Sequence, residues 1–207
     1  MSLTIETGFT EDERARAATL YWQAFGAKLG RVLGPQDRAL SFLQPILNPE
    51  FALVARDDAG QILGMAGFKT ADGGLVDGGL RDLARAYGPL GALWRGVLLL
   101  ALERKAEPGV FQMDGIFVAA EARGQGVGGK LLDAVLAAAT QEGCRVVRLD
   151  VIDINPRAQA LYERKGFVGA GRRYTGPLRH VFGFRSALRM ECTAKVSRTC
   201  PPRAPAT

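Results

Sequence analysis

The densest chemistry in this chain lies in ten residues, "RGQGVGGKLL", positions 123 to 132. Four glycines within six positions, Gly124, Gly126, Gly128 and Gly129, free the backbone to bring N–H groups together, and helical apolar spacing follows them at once. An anion suits such a loop, because a helix N-terminus offers unpaired donors and partial positive charge. Arg123 and Lys130 would add charge-assisted contacts. The same letters fit three patterns. Gly124, Gly126 and Gly129 have the glycine spacing of a dinucleotide-binding turn; Gly124, Gly129 and Lys130 make most of a nucleoside-triphosphate phosphate loop. Arg123, Gly126 and Gly128 spell R-x-x-G-x-G.

Two of these patterns fail on their neighbours. A triphosphate loop needs Ser or Thr after the lysine to ligate magnesium, and here the residue is Leu131. The dinucleotide turn gains some support from Asp150, 21 residues past Gly129, near where an acid would hold a ribose hydroxyl. Against it, "AAEAR" separates Val118 from Gly124, and only 78 residues follow Gly129, too few for the usual doubly wound sheet.

Further along, Asn155 and Tyr162 are seven residues apart on a helical pattern and share a face. Each alone has an ordinary reading: Asn155 as an N-cap before Pro156, Tyr162 as a core aromatic. Asp114 sits in the strand-like "VFQMDGIFV". Cys144 begins a strand away from any paired histidine and reads as an inert thiol; His180 has no visible partner.

"IFVAAEARGQGVGGKLL" followed by "LDVIDINPRAQALYERKGF" resembles the GNAT superfamily of acyl-CoA-dependent N-acyltransferases. Its pattern is an aliphatic strand end, R-x-x-G-x-G opening a helix, another strand, then N-x-x-A-x-x-L-Y-x-x-x-G-F. Asn155, Ala158, Leu161, Tyr162, Gly166 and Phe167 fill the second part. Residues 111 to 168 are covered closely, the start of the chain only in outline, and Ala120 stands where the family often has proline. The resemblance implies an α/β fold with a mixed, splayed sheet flanked by helices, and acetyl-CoA as co-substrate without a metal. It places the pyrophosphate on Arg123, Gly124, Gln125, Gly126, Val127, Gly128, Gly129 and Lys130. The pantetheine arm would pair with the backbone of Ile116, Phe117 and Val118, and with Asn155. Tyr162 would protonate the leaving thiolate. Asp114 matches a place where many members carry Glu; being shorter, it would bind the acceptor amine or act through a water. The implied reaction is direct acetyl transfer to a primary amine on a small molecule or peptide, the alternative being an acyl-CoA-binding regulatory module without turnover.

The rest of the chain must position these groups. With 207 residues, 47% of them hydrophobic and 23% charged, it can bury a substantial core. The formal charge is +6, but Lys195, Arg198 and Arg203 lie in an acid-free tail, leaving 24 basic against 21 acidic side chains in the body. That balance suits a phosphorylated ligand and gives no case for nucleic acid. No basic segment precedes an apolar run at the start, and "GALWRGVLLLAL" is too short to cross a bilayer, so neither secretion nor a membrane is expected. The three cysteines form no C-x-x-C pair and the single histidine leaves no zinc spacing, which points to reduced thiols in a cytoplasmic setting.

The pattern predicts strand 3 to 9, a helix capped by Thr10, two strands joined at Asp58-Ala59-Gly60, and helices over about 80 to 106 broken near Gly88-Pro89. Then come the strand holding Asp114, a helix over 127 to 141 closed by Gly143, a strand, the Asn155 helix and terminal strands. One domain over 1 to 193 is expected, with a disordered basic tail over 194 to 207. The apolar stripe of the inserted helices is expected to pack on the body, with a lid or homodimer face as the other use. Residues 26 to 50, 70 to 106 and 172 to 185, which would shape the acceptor site, carry no recognisable motif.

Overall fold

The computed structural model describes residues 3–102 and 107–194. It begins with β1 (Thr4–Thr7), after which the Thr10 N–H donates to Glu13 at 2.8 Å and starts α1 (Arg14–Leu33). The run with Pro35 and Pro45, opaque in the sequence, is α2 (Gln36–Ile46). Its buried residues Ala39, Phe42, Leu43 and Ile46 have helical spacing, and Pro45 falls in the last turn.

Next come β2 (Ala52–Arg56), β3 (Ile62–Thr70), the two-residue β4 (Gly73–Gly74) and α3 (Leu80–Leu100). The glycine loop lies between β5 (Val110–Val118) and α4 (Val127–Gln141), followed by β6 (Val146–Ile152) and α5 (Pro156–Arg164). β7 (Val168–Tyr174), the single turn α6 (Arg179–Phe182) and β8 (Ser186–Thr193) complete the order.

The strands form one mixed sheet in the order β1-β2-β3-β5-β6-β8-β7, with β4 against β3. Among the described residues only β5 and β6 run parallel, so the sheet is not the doubly wound kind that a dinucleotide turn would serve. Along β5, a Cβ on Gly115 would meet Phe25 of α1, while Ile116 and Val118 lie under Gly128 of α4. Alternate residues of one strand point to opposite faces, so α1 and α4 cover the two sides of the sheet.

Two features of β5 set up the site. Pairing with β6 is confined to Val110, Phe111 and Gln112 against Val146, Val147 and Arg148, beyond which the strands part. On the other edge Gly67 pairs with Gly115 and Phe68 with Met113, so Asp114 is the unpaired extra residue of a β-bulge.

The expected break in α3 is present: Gly88 has φ 73° and ψ 165°, and Pro89 restarts the helix. The expected packing of the whole stripe is not. Leu83 and Tyr87 are buried, whereas Leu90, Trp94 and Val97 are exposed. The kink at Gly88 turns the second segment, so a single helical stripe drawn through both halves no longer faces one way. Tyr87 donates its hydroxyl to the Leu33 carbonyl, and Arg95 Nε donates to Val32 O at 2.8 Å, which ties both halves to α1.

Residues 103–106 of the expected insertion, and the expected tail from residue 195 on, lie outside the described residues. Ala194 belongs with the body: it is buried, and its N–H donates to Arg145 O at 3.0 Å.

Candidate active site

The glycine loop reaches its shape through two left-handed residues, Gly124 (φ 81°) and Gly126 (φ 82°), the second being the N-cap of α4. A side chain at either would be strained. The first helical donor with an internal partner is Lys130 N–H, 3.1 Å from Gly126 O. Among the described residues the N–H groups from Gly124 to Gly129 meet no acceptor of good geometry, as befits a helix start. Those donors and the dipole behind them form an anion cradle. Gly128 and Gly129 have ordinary helical backbone; a Cβ on Gly128 would lie 3.4 Å from Leu161 and within 3.9 Å of Val118 and Ile116. Their lack of side chain therefore keeps the approach to β5 and α5 open rather than relieving strain.

Two loop side chains make local contacts. Arg123 Nε donates to Val118 O at 3.3 Å and Gln125 Nε2 to Glu121 O at 2.9 Å. Lys130 is exposed at the helix start.

Where β5 leaves β6 the sheet opens on a cavity of about 810 Å³. It collects Asp114, Ile116 and Phe117 from β5 together with Asn155 and Tyr162 from α5. The loop residues and Val118 lie outside this cavity wall, on the neighbouring stretch reached through Gly128. Asn155 keeps its ordinary job as well: its Oδ1 accepts from the Ala158 N–H at 3.2 Å and caps α5, which leaves the amide NH2 to serve a ligand.

Tyr162 is 7% exposed and packs on Phe167, ring centroids 5.9 Å apart, and desolvation, with no hydrogen bond beside it, is what acts on its hydroxyl. Burial pushes the phenol up to about 12, so it stays protonated at any working pH.

Asp114 is exposed to the open space of the cavity, and the protein around that cavity limits its solvation enough to raise its carboxyl to about 6; Lys69 and Lys28 pull the other way. The bulge presents it there next to an aromatic trio, Tyr21, Phe25 and Phe117, with centroids 4.8 to 5.3 Å apart. Asp114 in turn raises the half-buried Tyr21 phenol further, beyond what its desolvation does.

Lys28, Lys69 and Tyr21 were not singled out from the sequence. Tyr21 and Phe25 carried a signal, one helical turn apart on an apolar stripe, but a stripe of that kind does not say what it faces. Cys144 is buried, with its thiol pushed up, and His180 Nε2 accepts from Arg179 Nε at 3.2 Å; neither lines the cavity. Asp150, the residue that lent weight to a dinucleotide turn, lies 3.9 Å from Arg189 Nε across the β6–β8 pair. Among the described residues no group of His, Cys, Asp and Glu has the arrangement of a metal site, and no helix is long and apolar enough to cross a membrane.

A mixed sheet that splays beside a glycine-rich helix start defines the GNAT class of proteins. The sequence matches the Acetyltransferase (GNAT) family over residues 15–167, and the chain belongs to that family. Among curated proteins it is similar to the thialysine N-epsilon-acetyltransferase of Bos taurus, 43% identical over 54 residues covering 26% of this chain and 32% of that protein. The Sus scrofa protein of the same name is 41% identical over 54 residues, again 26% and 32%. The chain thus spans about a third of the length of the curated relatives it matches.

Among solved structures, an N-acetyltransferase from Staphylococcus aureus Mu50 superposes with TM-score 0.64 at 15% identity, covering 91% of this chain and all (100%) of that one. A phosphinothricin acetyltransferase from Sinorhizobium meliloti, in complex with AcCoA, gives 0.58 at 17% identity, covering 98% and 94%. At such identities the likeness carries the fold, an α/β architecture with a mixed sheet flanked by helices.

Proposed function

We propose that this chain is an N-acetyltransferase that moves the acetyl group of acetyl-CoA directly to a primary amine of a small molecule or peptide, as one domain over residues 3–194. The observation that carries this reading is the convergence of Asp114, Ile116, Asn155 and Tyr162 on one cavity at the splay of β5 and β6. The glycine loop would hold the pyrophosphate, with Arg123, Gln125 and Lys130 around it. The pantetheine arm would run along Ile116, Phe117 and Val118, whose backbone has lost β6 as a partner and can pair with an extended ligand. The Asn155 amide would meet the same arm.

In the reaction the amine nitrogen forms a bond to the thioester carbon and the C–S bond breaks. The excess proton on nitrogen passes to Asp114, directly or through a water, and the Tyr162 proton goes to the departing sulfur. A carboxyl near 6 is mostly ionised at neutral pH and can take that proton. The free thiols support a reduced, cytoplasmic setting.

The test is thiol release from acetyl-CoA with a panel of amines, from about pH 5 to pH 8. Because the base form of Asp114 is the active one, kcat/KM referred to the unprotonated amine should rise with pH and level off above about 6, while on total amine it keeps rising as the acceptor's ammonium, at about 10 for an alkylamine, deprotonates. In Asp114→Asn the rate should drop roughly 10²-fold or more and this limb should vanish, with acetyl-CoA affinity unchanged. Acetyl-CoA binding with no thiol release across the panel would leave a binding module in place of an enzyme. An unchanged limb in Asp114→Asn would remove Asp114 from the proton path.

A further inference from the structure

The cavity extends well past the point where transfer would occur. Beyond Asp114 its walls come from α1, α2 and α3, through Leu29, Leu33, Phe42, Leu43, Leu83 and Val97. Several large apolar side chains that the protein leaves exposed also face this space: Leu93 is 63% exposed, Val97 61%, Leu100 67% and, between β6 and α5, Ile154 61%. Aliphatic side chains held at the edge of a concave site gain most from an apolar ligand.

The only charged residue in the second segment of α3, Arg95, turns away from the cavity. Its guanidinium lies over the rings of Tyr87 and Trp94, 4.1 and 4.2 Å from their centroids, and donates to Val32 O. The Tyr87 and Arg95 bonds to α1 hold this apolar wall in place before any ligand arrives, which spares the cost of ordering it on binding. Polar character is gathered at the reacting end, where Asp114 has Lys28 and Lys69 around it and the other carboxylate of the wall, Asp150, has Arg189 Nε at 3.9 Å.

We infer that the acceptor is a monoamine carried on a bulky apolar body, an arylalkyl or branched alkyl group, with its nitrogen at Asp114 and its body against α3. This rests on the acetyl-transfer reading above and names the substrate class for it. The two lysines at the amine end oppose a second positive group close to the first, so polyamines and basic amino acids are disfavoured.

The experiment compares 2-phenylethylamine and tryptamine with ethanolamine and spermidine as acceptors of acetyl-CoA, by thiol release. Burying an aromatic ring favours the first pair by about tenfold to a hundredfold in kcat/KM. Val97→Asp, at a position whose exposure spares the core, should raise KM for 2-phenylethylamine at least tenfold and leave the Kd of CoA unchanged. Ethanolamine or spermidine matching the aryl amines would overturn the inference, as would an unaltered KM in Val97→Asp. Faster transfer from octanoyl-CoA than from acetyl-CoA to ethanolamine would assign the apolar volume to the donor and also overturn it. Calorimetric binding of 2-phenylethylamine and ethanolamine to the CoA-saturated protein reads the pocket independently of turnover. A clear preference for the aryl amine there, with no thiol release from any pair, would sustain the pocket and sink the enzymatic reading; no preference would sink the pocket.

Discussion

Tyr162→Phe is expected to lower turnover with a confirmed acceptor by roughly 10²–10⁴-fold, the range associated with losing a positioned general acid. The substitution removes one oxygen and keeps the ring on Phe167. Desolvation alone acts on this phenol, with no hydrogen bond contributing, so removing its oxygen breaks no protein contact and the melting temperature should hold. Acetyl-CoA affinity should hold too, because the contacts assigned to the pyrophosphate and pantetheine lie elsewhere. The phenol, at about 12, does not ionise in the working range, so the pH profile of the variant should keep the wild-type limb near 6 at a lower level. The measurement is single-turnover transfer at saturating acetyl-CoA. Wild-type rates there would take Tyr162 out of the chemistry and leave water to protonate the thiolate.

Gly128→Val is expected to weaken CoA binding about a hundredfold, or about 2.8 kcal/mol at 1.4 kcal/mol per tenfold, while moving the melting temperature by no more than a few degrees. The helical backbone at Gly128 accepts a side chain, and valine is no worse a helix residue than glycine. The Cβ itself would make ordinary contact with Leu161 at 3.4 Å, but the two methyl groups beyond it would crowd the approach between α5 and the Ile116–Val118 edge. Gly126→Val is a poorer probe. Its φ of 82° would add backbone strain of about 1–2 kcal/mol and mix folding with binding. Calorimetry beside thermal melts separates the two quantities. Equal loss of binding and fold in Gly128→Val would mean that the glycine serves packing alone.

The loop, the helix behind it and the Asn155–Tyr162 face were legible because each rests on local spacing: glycines at fixed offsets, a cap before a proline, two residues two turns apart. The break at Gly88-Pro89 was legible for the same reason. What depended on register was not. Nothing near Asp114 in the sequence says that β3 skips it, or that β6 departs after Gln112, yet those two facts aim its carboxyl into the cavity. α2 was hidden because prolines at 35, 45 and 49 outweighed the spacing of Ala39, Phe42, Leu43 and Ile46. The direction of the apolar face of α3 was hidden as well, since periodicity gives a stripe and tertiary packing decides what it meets.

The most direct test of the account is a calorimetric titration of the wild-type protein with acetyl-CoA, NADH and ATP in turn, each with a thermal melt. Saturable, one-to-one binding of acetyl-CoA with a raised melting temperature is expected, since a ligand bound only by the folded state stabilises it by mass action, and neither effect with the other two. NADH or ATP binding with acetyl-CoA inert would contradict the assignment of the glycine loop, and with it the proposed transfer.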